Sequence, residues 1–258
     1  MVRTPVNGLH LWQFENLSKE NSIRHFVTDR STAAVDNEFT LSFSSSPDRE
    51  FIKSNRGLLA EAMNISSHQL FFPHQVHLTR IVNISGKTTI ETLKDTDALI
   101  TNEKNICIAV MSADCVPILL FDKKNNAAGA VHSGWRGTVA RILELTLAEM
   151  KKNFGTKGED IIAGIGPSVC QESYEVGEEV VSEVKRAFGR ESESMMVAQP
   201  NNKAKLDLWK ANQLQLLEFG VAPANIEISN LCTVKNNQHF FSARKGDSGR
   251  FAAGIMLA

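Results

Sequence analysis

AVMSADCVPILLFD, residues Ala109 to Asp122, is an apolar run interrupted at Ser112 and again by the polar pair Asp114–Cys115. Short apolar runs on either side of such a break read as strands buried on both faces, here Ile106–Ala113 and Val116–Phe121. Asp122-Lys123-Lys124-Asn125-Asn126 follows with hairpin chemistry, then a third apolar run, Ala127–His132. If the last two runs pair as antiparallel neighbours, Cys115 and His132 face each other, or lie one residue out of register. Cross-strand Cβ atoms are ~5 Å apart. The pair could then share a metal or form a thiol–imidazole couple. Cys115 has four readings at this point: buried filler, half of a disulfide, a nucleophile or a metal ligand.

Working outward, HQVHLT supplies His74 and His77. A strand is predicted over Gln75–Ile84. Histidines three apart on a strand point to opposite faces. Pro73 puts His74 at the strand's beginning, so His77 is the one assigned to the site. His77, Cys115 and His132 make three N/S ligands with a fourth position open, the arrangement of a catalytic zinc. Thiolate plus imidazole also suits copper. A buried cysteine beside two hydrogen-bonded histidines fits the same spacing.

GAVHSGWRGT, Gly129–Thr138, is a strand end, a glycine-flanked turn and a predicted helix start near Thr138. Free N–H groups there favour an anion, and Arg136 adds a positive fork. A tight turn with a surface arginine and a packed Trp135 is the plainer alternative. GIGPSVC, Gly164–Cys170, has the same strand-to-turn character.

The rest of the chain is ordinary. It has 258 residues, 42% hydrophobic and 22% charged, enough for a sizeable core. The net charge of -1 gives no global argument for nucleic acid or an acidic membrane surface. MVRTPVNGLHLWQFEN has no signal-peptide core, and no apolar run is long enough for a membrane span. The expectation is a soluble, cytoplasmic protein. Cys107, Cys115, Cys170 and Cys232 are too sparse for a disulfide scaffold and are expected as free thiols.

Helix and strand signals alternate without repeats. Ser46-Pro47-Asp48 predicts a helix start with Ser46 as cap. Phe51, Ile52, Asn55, Leu58, Leu59, Ala62 and Met63 follow at helical spacing, with only Asn55 polar. Further helices are predicted over Thr138–Phe154 (ended by Gly155), through Val180–Phe188 (ended by Gly189), and over Leu208–Phe219 behind an Asp207 cap. Ile161–Ile165, Ile226–Thr233, Phe240–Ala243 and Phe251–Leu257 read as strands. Gly189–Lys205 reads as a mobile surface loop, with a lid as the alternative. The fold class is α/β (mixed α+β), layered mixed sheets flanked by helices, in a single domain over 1–258.

QVHLTRIV, TDALITN, SADCVPILL, GAVHSGWRGT, GIGPSVCQESYEVGEEV, LDLWKANQLQLL and FFSARKGDSGRFAAGIML together resemble the YfiH-like family, also called the laccase-domain or polyphenol-oxidase family. They run in the family's order from about residue 70 onward. The resemblance implies a zinc site at His77, Cys115 and His132. It implies a cytoplasmic purine nucleoside enzyme that phosphorolyses adenosine, inosine and S-methyl-5′-thioadenosine and deaminates adenosine. Asp114 beside the ligand would orient it or carry a proton, and Tyr174 of YEVG would contact base or ribose. Arg30, Arg56, Arg136 and Ser133 would hold phosphate. The N-terminal third lacks the family's paired glycines: Thr28-Asp29-Arg30-Ser31-Thr32, Thr40-Leu41-Ser42-Phe43 and Asn55-Arg56 stand in its place. Three alternatives remain. They are a copper-dependent phenol oxidase, which seven histidines supply poorly, a cysteine hydrolase using Cys115 and His132, and a peptidoglycan-editing factor.

Overall fold

The computed structural model describes residues 1–33 and 38–258. The chain opens with β1 (Val2–Val6), β2 (Leu9–Gln13) and β3 (Ile23–Val27), then helix α1 (Arg49–Ala62). Short strands β4 (Leu70–Phe71), β5 (Ile81–Asn83) and β6 (Ala98–Thr101) lead to β7 (Cys107–Ser112), β8 (Val116–Asp122) and β9 (Ala127–Ser133). Helices α2 (Trp135–Val139) and α3 (Ile142–Phe154) precede β10 (Ile161–Ile165) and β11 (Glu175–Val176). Next come α4 (Glu178–Phe188), β12 (Met196–Gln199), β13 (Lys203–Leu206), α5 (Leu208–Glu218), β14 (Ile226–Ile228) and β15 (Phe251–Leu257).

Two six-stranded mixed sheets stack face to face. One has the order β1-β2-β3-β15-β7-β4, the other β14-β10-β8-β9-β6-β5. A three-stranded sheet, β11-β13-β12, lies apart. Alternation along the strands assigns each side chain to a layer. On β8, Val116, Ile118 and Leu120 pack with Leu143, Leu147 and Met150 of α3 and with Ala211 and Leu216 of α5. Leu119 and Phe121 point the other way, against Ile108 and Val110 of β7 and Ala253 and Ile255 of β15. The back of β7 and β15, through Cys107, Ala109, Ala252 and Met256, packs on Leu59 and Ala62 of α1. The layers therefore run helix, sheet, sheet, helices. The unbroken apolar character of β7 and β8 follows, since each has covered faces on both sides.

The pair Asp114–Cys115 lies where the chain leaves one sheet for the other, between β7 and β8. Asp114 turns the corner at φ +90°, a backbone region few side chains adopt.

Several predicted elements differ. Gln75–Ile84 is a strand only over Ile81–Asn83, because the preceding residues bond to the Asp97 side chain rather than to a neighbouring strand. The α1 cap is Asp48, whose Oδ1 accepts from Phe51 N at 3.0 Å, while Ser46 accepts from Asp48 N one turn earlier. The helix predicted from Thr138 begins at Trp135 and breaks at Arg141, which is left-handed at φ +59° and paired to Glu144 and Glu218. Gly189–Lys205 is a short 3-10 helix followed by the β12–β13 hairpin. Ile226–Thr233 is strand only to Ile228. Phe240 and Phe241 are wholly buried without being a strand, because core burial alone satisfies their apolar character. The caps at Gly155, Gly189 and Asp207 stand as expected. No helix among the described residues is long and apolar enough to cross a membrane.

One buried histidine contributes to the loss of stability in acid. His25 of β3 is 3% exposed and accepts from Phe14 N through Nε2 at 2.9 Å. Burial pushes it down to about 4, outweighing the Glu227 charge. The unfolded chain takes up this proton first, so stability falls as pH drops from about 6.5 towards 4, by up to about 1.4 kcal/mol per pH unit. His25→Gln, which keeps an acceptor but cannot titrate, is expected to flatten this slope in urea unfolding across that range. An unchanged slope would refute the assignment.

Candidate metal centre

The three ligating atoms offered by His77, Cys115 and His132 all lie within 4.8 Å of one another. The His77 and His132 rings meet edge to face at 4.8 Å between centroids. This is the only group of three such side chains among the described residues.

The hairpin register differs from the sequence expectation. β8 and β9 pair Val116 with Ser133 and Pro117 with His132. Extending this register sets Cys115 against Gly134, two residues from His132. Two is an even step, so Cys115 and His132 keep the same face and meet on the diagonal. Gly134 makes the diagonal contact possible. A Cβ there would sit 2.9 Å from Cys115 Sγ and 3.1 Å from His77 Cδ2.

His77 arrives from a loop, at φ +63°. Its position is fixed by Asp97, whose carboxylate accepts from the backbone N–H groups of Val76 (3.2 Å), His77 (2.9 Å) and Leu78 (2.9 Å). Asp97 Oδ1 also meets His132 Nδ1 at 2.8 Å. That contact turns His132 Nε2 towards Cys115, the arrangement usual for a metal-bound histidine. Gln75 exchanges two 2.8 Å hydrogen bonds with the backbone of Met111 and ties the same loop to β7.

The electrostatics suit a deprotonated thiol. Burial pushes the Cys115 thiol up, but the charge and hydrogen bond of His132 and those of His77 outweigh it and bring it down to about 6. Burial pushes His132 down, and the Cys115 charge with the Asp97 hydrogen bond lifts it to about 9. Burial likewise pushes the Asp97 carboxyl up, but the His132 hydrogen bond and backbone donors hold it below the usual range. Two imidazoles and a thiolate, with an orienting carboxylate behind one of them, fit a single zinc-type ion with an open coordination position.

The cluster opens on a cleft of about 1590 Å³. Arg56 lines it, held between the rings of Phe43 (4.3 Å) and Phe72 (4.4 Å), with Nε donating to Leu41 O at 2.9 Å. Arg49 lies over the Phe43 ring as well. Burial, reinforced by the Arg49 charge, pushes Arg56 down to about 10. Arg244 lines the cleft nearer Cys115. Among the described residues, none of these three arginines has a carboxylate partner.

The other sequence candidates are placed differently. Asp114 lines the cleft, but its carboxylate accepts from Thr233 Oγ1 (2.6 Å) and Arg244 N (2.8 Å). The carboxylate in contact with a histidine of the cluster is that of Asp97. Tyr174 is buried beneath the Arg244 guanidinium, 4.6 Å from its ring centroid, and does not line the cleft. Burial, helped by the Cys115 charge, raises the Tyr174 hydroxyl to about 12. Arg30 is committed to Glu38 and Asp247 and stacks on Phe241. Arg136 is exposed and folded over Trp135. Ser133 is fully buried and bonded to Thr138 and Asn212 at 2.9 Å each. Arg30, Arg136 and Ser133 are thus outside the cleft.

Residues 24–258 match the family described as multi-copper polyphenol oxidoreductase laccase. The chain belongs to this family. It is 39% identical over 257 residues to a purine nucleoside phosphorylase of Bacteroides thetaiotaomicron, covering 95% of each chain. It is 36% identical over 206 residues to adenosine deaminase RL5 of an unknown prokaryotic organism, covering 76% of this chain and 78% of the relative. The crystal structure of the hypothetical protein YfiH from Bacillus licheniformis superposes with a TM-score of 0.88 at 24% identity, over 98% of this chain and 97% of that one. The YfiH-like layered fold expected from the sequence is therefore the fold observed.

Two substitutions test the centre through metal content. Asp97→Asn is expected to weaken zinc binding by roughly 10–100-fold in competition with a chromophoric chelator. Gly134→Ala is expected to lose zinc more completely while far-ultraviolet circular dichroism stays unchanged. Wild-type zinc affinity in both variants would show that neither residue shapes the site.

Proposed function

We propose that the chain is a zinc-dependent, cytoplasmic purine nucleoside enzyme. It phosphorolyses adenosine, inosine and S-methyl-5′-thioadenosine to ribose 1-phosphate, or its methylthio counterpart, and free base. Adenosine deamination is a second activity. The observation that carries this reading is one cleft shared by the His77/Cys115/His132 cluster and three arginines that have no carboxylate partner among the described residues. The named activities of the two relatives point the same way.

Arg56 and Arg49 are like charges held close together, a pair that a bound dianion relieves. The Phe43 and Phe72 rings fix the Arg56 plane so that its terminal N–H groups face phosphate ready-oriented. Arg244 supplies positive charge at the metal end of the cleft. In phosphorolysis a phosphate oxygen forms a bond to the ribose anomeric carbon, and the bond from that carbon to the base nitrogen breaks. The purine leaves with the electron pair and takes up a proton. Asp97 keeps His132 in one tautomer throughout, and Asp114 anchors the backbone of Arg244. Zinc held by His77, Cys115 and His132 would supply Lewis acidity at its open position. In this reading Arg49 and Arg244 replace Arg30, Arg136 and Ser133 as phosphate-binding groups.

A copper phenol oxidase follows the family's descriptive name, but a multicopper centre needs more imidazoles than this one cluster provides.

The decisive test is elemental analysis of the purified protein, then product analysis with adenosine or inosine, with and without phosphate. Phosphate-dependent ribose 1-phosphate is the expected product, and ammonia from adenosine without phosphate marks deamination. Arg56→Ala is expected to raise the KM for phosphate at least tenfold. Absence of both products from zinc-loaded protein would overturn the reading.

A further inference from the structure

Cys170 and Cys232 lie 62 residues apart in sequence and side by side in space. The Cys170 backbone N–H donates to Cys232 Sγ at 3.2 Å. Both thiols contact the Ser173 hydroxyl, Cys170 at 3.5 Å and Cys232 at 3.9 Å. Both are free and buried just beneath the surface. Neither ligates the metal cluster, and neither lines the cleft. The geometry points to a redox modification site: Cys170 and Cys232 form a dithiol that closes to a disulfide when challenged by a small disulfide such as oxidised glutathione.

The two thiols are not equivalent. Burial pushes the Cys232 thiol up, but Cys170 and the backbone N–H groups of Cys170, Lys235 and Val234 outweigh it and bring it down. Burial and the neighbouring Cys232 push Cys170 up. The Cys170 backbone N–H aimed at Cys232 Sγ stabilises a thiolate there, which makes Cys232 the attacking thiol and Cys170 the resolving one. An exposed ion pair, Lys235 with Glu172 at 3.4 Å, borders them at the surface.

The chemistry balances. Cys232 sulfur bonds to one sulfur of glutathione disulfide, whose S–S bond breaks and releases one glutathione thiolate. Cys170 gives up its proton and attacks Cys232 Sγ, releasing the second. The protein loses two electrons and two protons, and one small disulfide becomes two thiols.

The location gives the bond a consequence. Cys170 ends the segment whose Val169 N–H donates to Asp114 O at 3.0 Å. Cys232 adjoins Thr233, whose hydroxyl donates to Asp114 Oδ1 and whose N–H donates to Ser168 O. A disulfide here would clamp together the two segments that hold the corner before Cys115.

The test uses the full-length, zinc-loaded protein incubated with excess glutathione disulfide, denatured, alkylated and digested. Free thiols are expected to fall from four to two, with a Cys170–Cys232 cross-linked peptide that dithiothreitol removes. Cys170→Ser is expected to trap glutathione on Cys232, and Cys232→Ser to leave Cys170 unmodified. The oxidised wild type is expected to melt roughly 5 °C or more above the reduced form, a shift absent from both variants. Four free thiols after prolonged exposure would overturn the proposal. So would a glutathione adduct on wild-type Cys232 that never resolves to the cross-link.

Discussion

The Asp97 carboxylate holds two parts of the centre in one place. One oxygen meets His132 at the end of β9, and the pair of oxygens gathers the N–H groups of three successive residues around His77. A fully buried carboxylate is costly unless its charge is answered, and four donors answer this one. The same contacts let a loop with a left-handed histidine deliver a ligand as fixed as one on a strand. Without Asp97, nothing else described holds both the His77 backbone and the His132 ring.

The stacked sheets decide where this can happen. β7 belongs to one sheet and β8 to the other, so the chain must turn sharply between them. That corner cannot be filled by apolar strand, and Asp114 and Cys115 occupy it. Asp114 takes the strained conformation and ties the corner to Thr233 and Arg244, which leaves Cys115 free to face the histidines. A glycine opposite Cys115 gives the sulfur its room. The polar interruption in the apolar run is thus both a topological joint and the source of the thiol in the candidate metal cluster.

The cations of the cleft come from distant stretches: Arg49 and Arg56 from α1, Arg244 from the segment before β15. Arg56 was legible in the sequence only through the family resemblance, in which an Asn-Arg pair ends this helix. Arg49 and Arg244 carried no spacing signal. Arg30 and Ser133 are engaged by neighbours that only folding supplies, and Arg136 is exposed over the adjacent Trp135, outside the cleft. Asp97 stood in plain view within TDALITN, but a carboxylate twenty residues from one ligand and thirty-five from another has no local pattern to mark it.

What the sequence by itself determined is whatever depends on neighbours in the chain. That covers the two-face burial of β7, β8 and β9, the caps at Gly155, Gly189 and Asp207, and the three residue types able to hold a metal. These follow from side-chain periodicity and backbone hydrogen-bonding needs over a few residues. Only the tertiary structure decided which cations have no carboxylate partner among the described residues, how the hairpin register sets Cys115 diagonal to His132, and that Cys170 meets Cys232. Those outcomes depend on pairings tens to hundreds of residues apart, where the same residue is an anion site or an ordinary ion pair according to what folds against it.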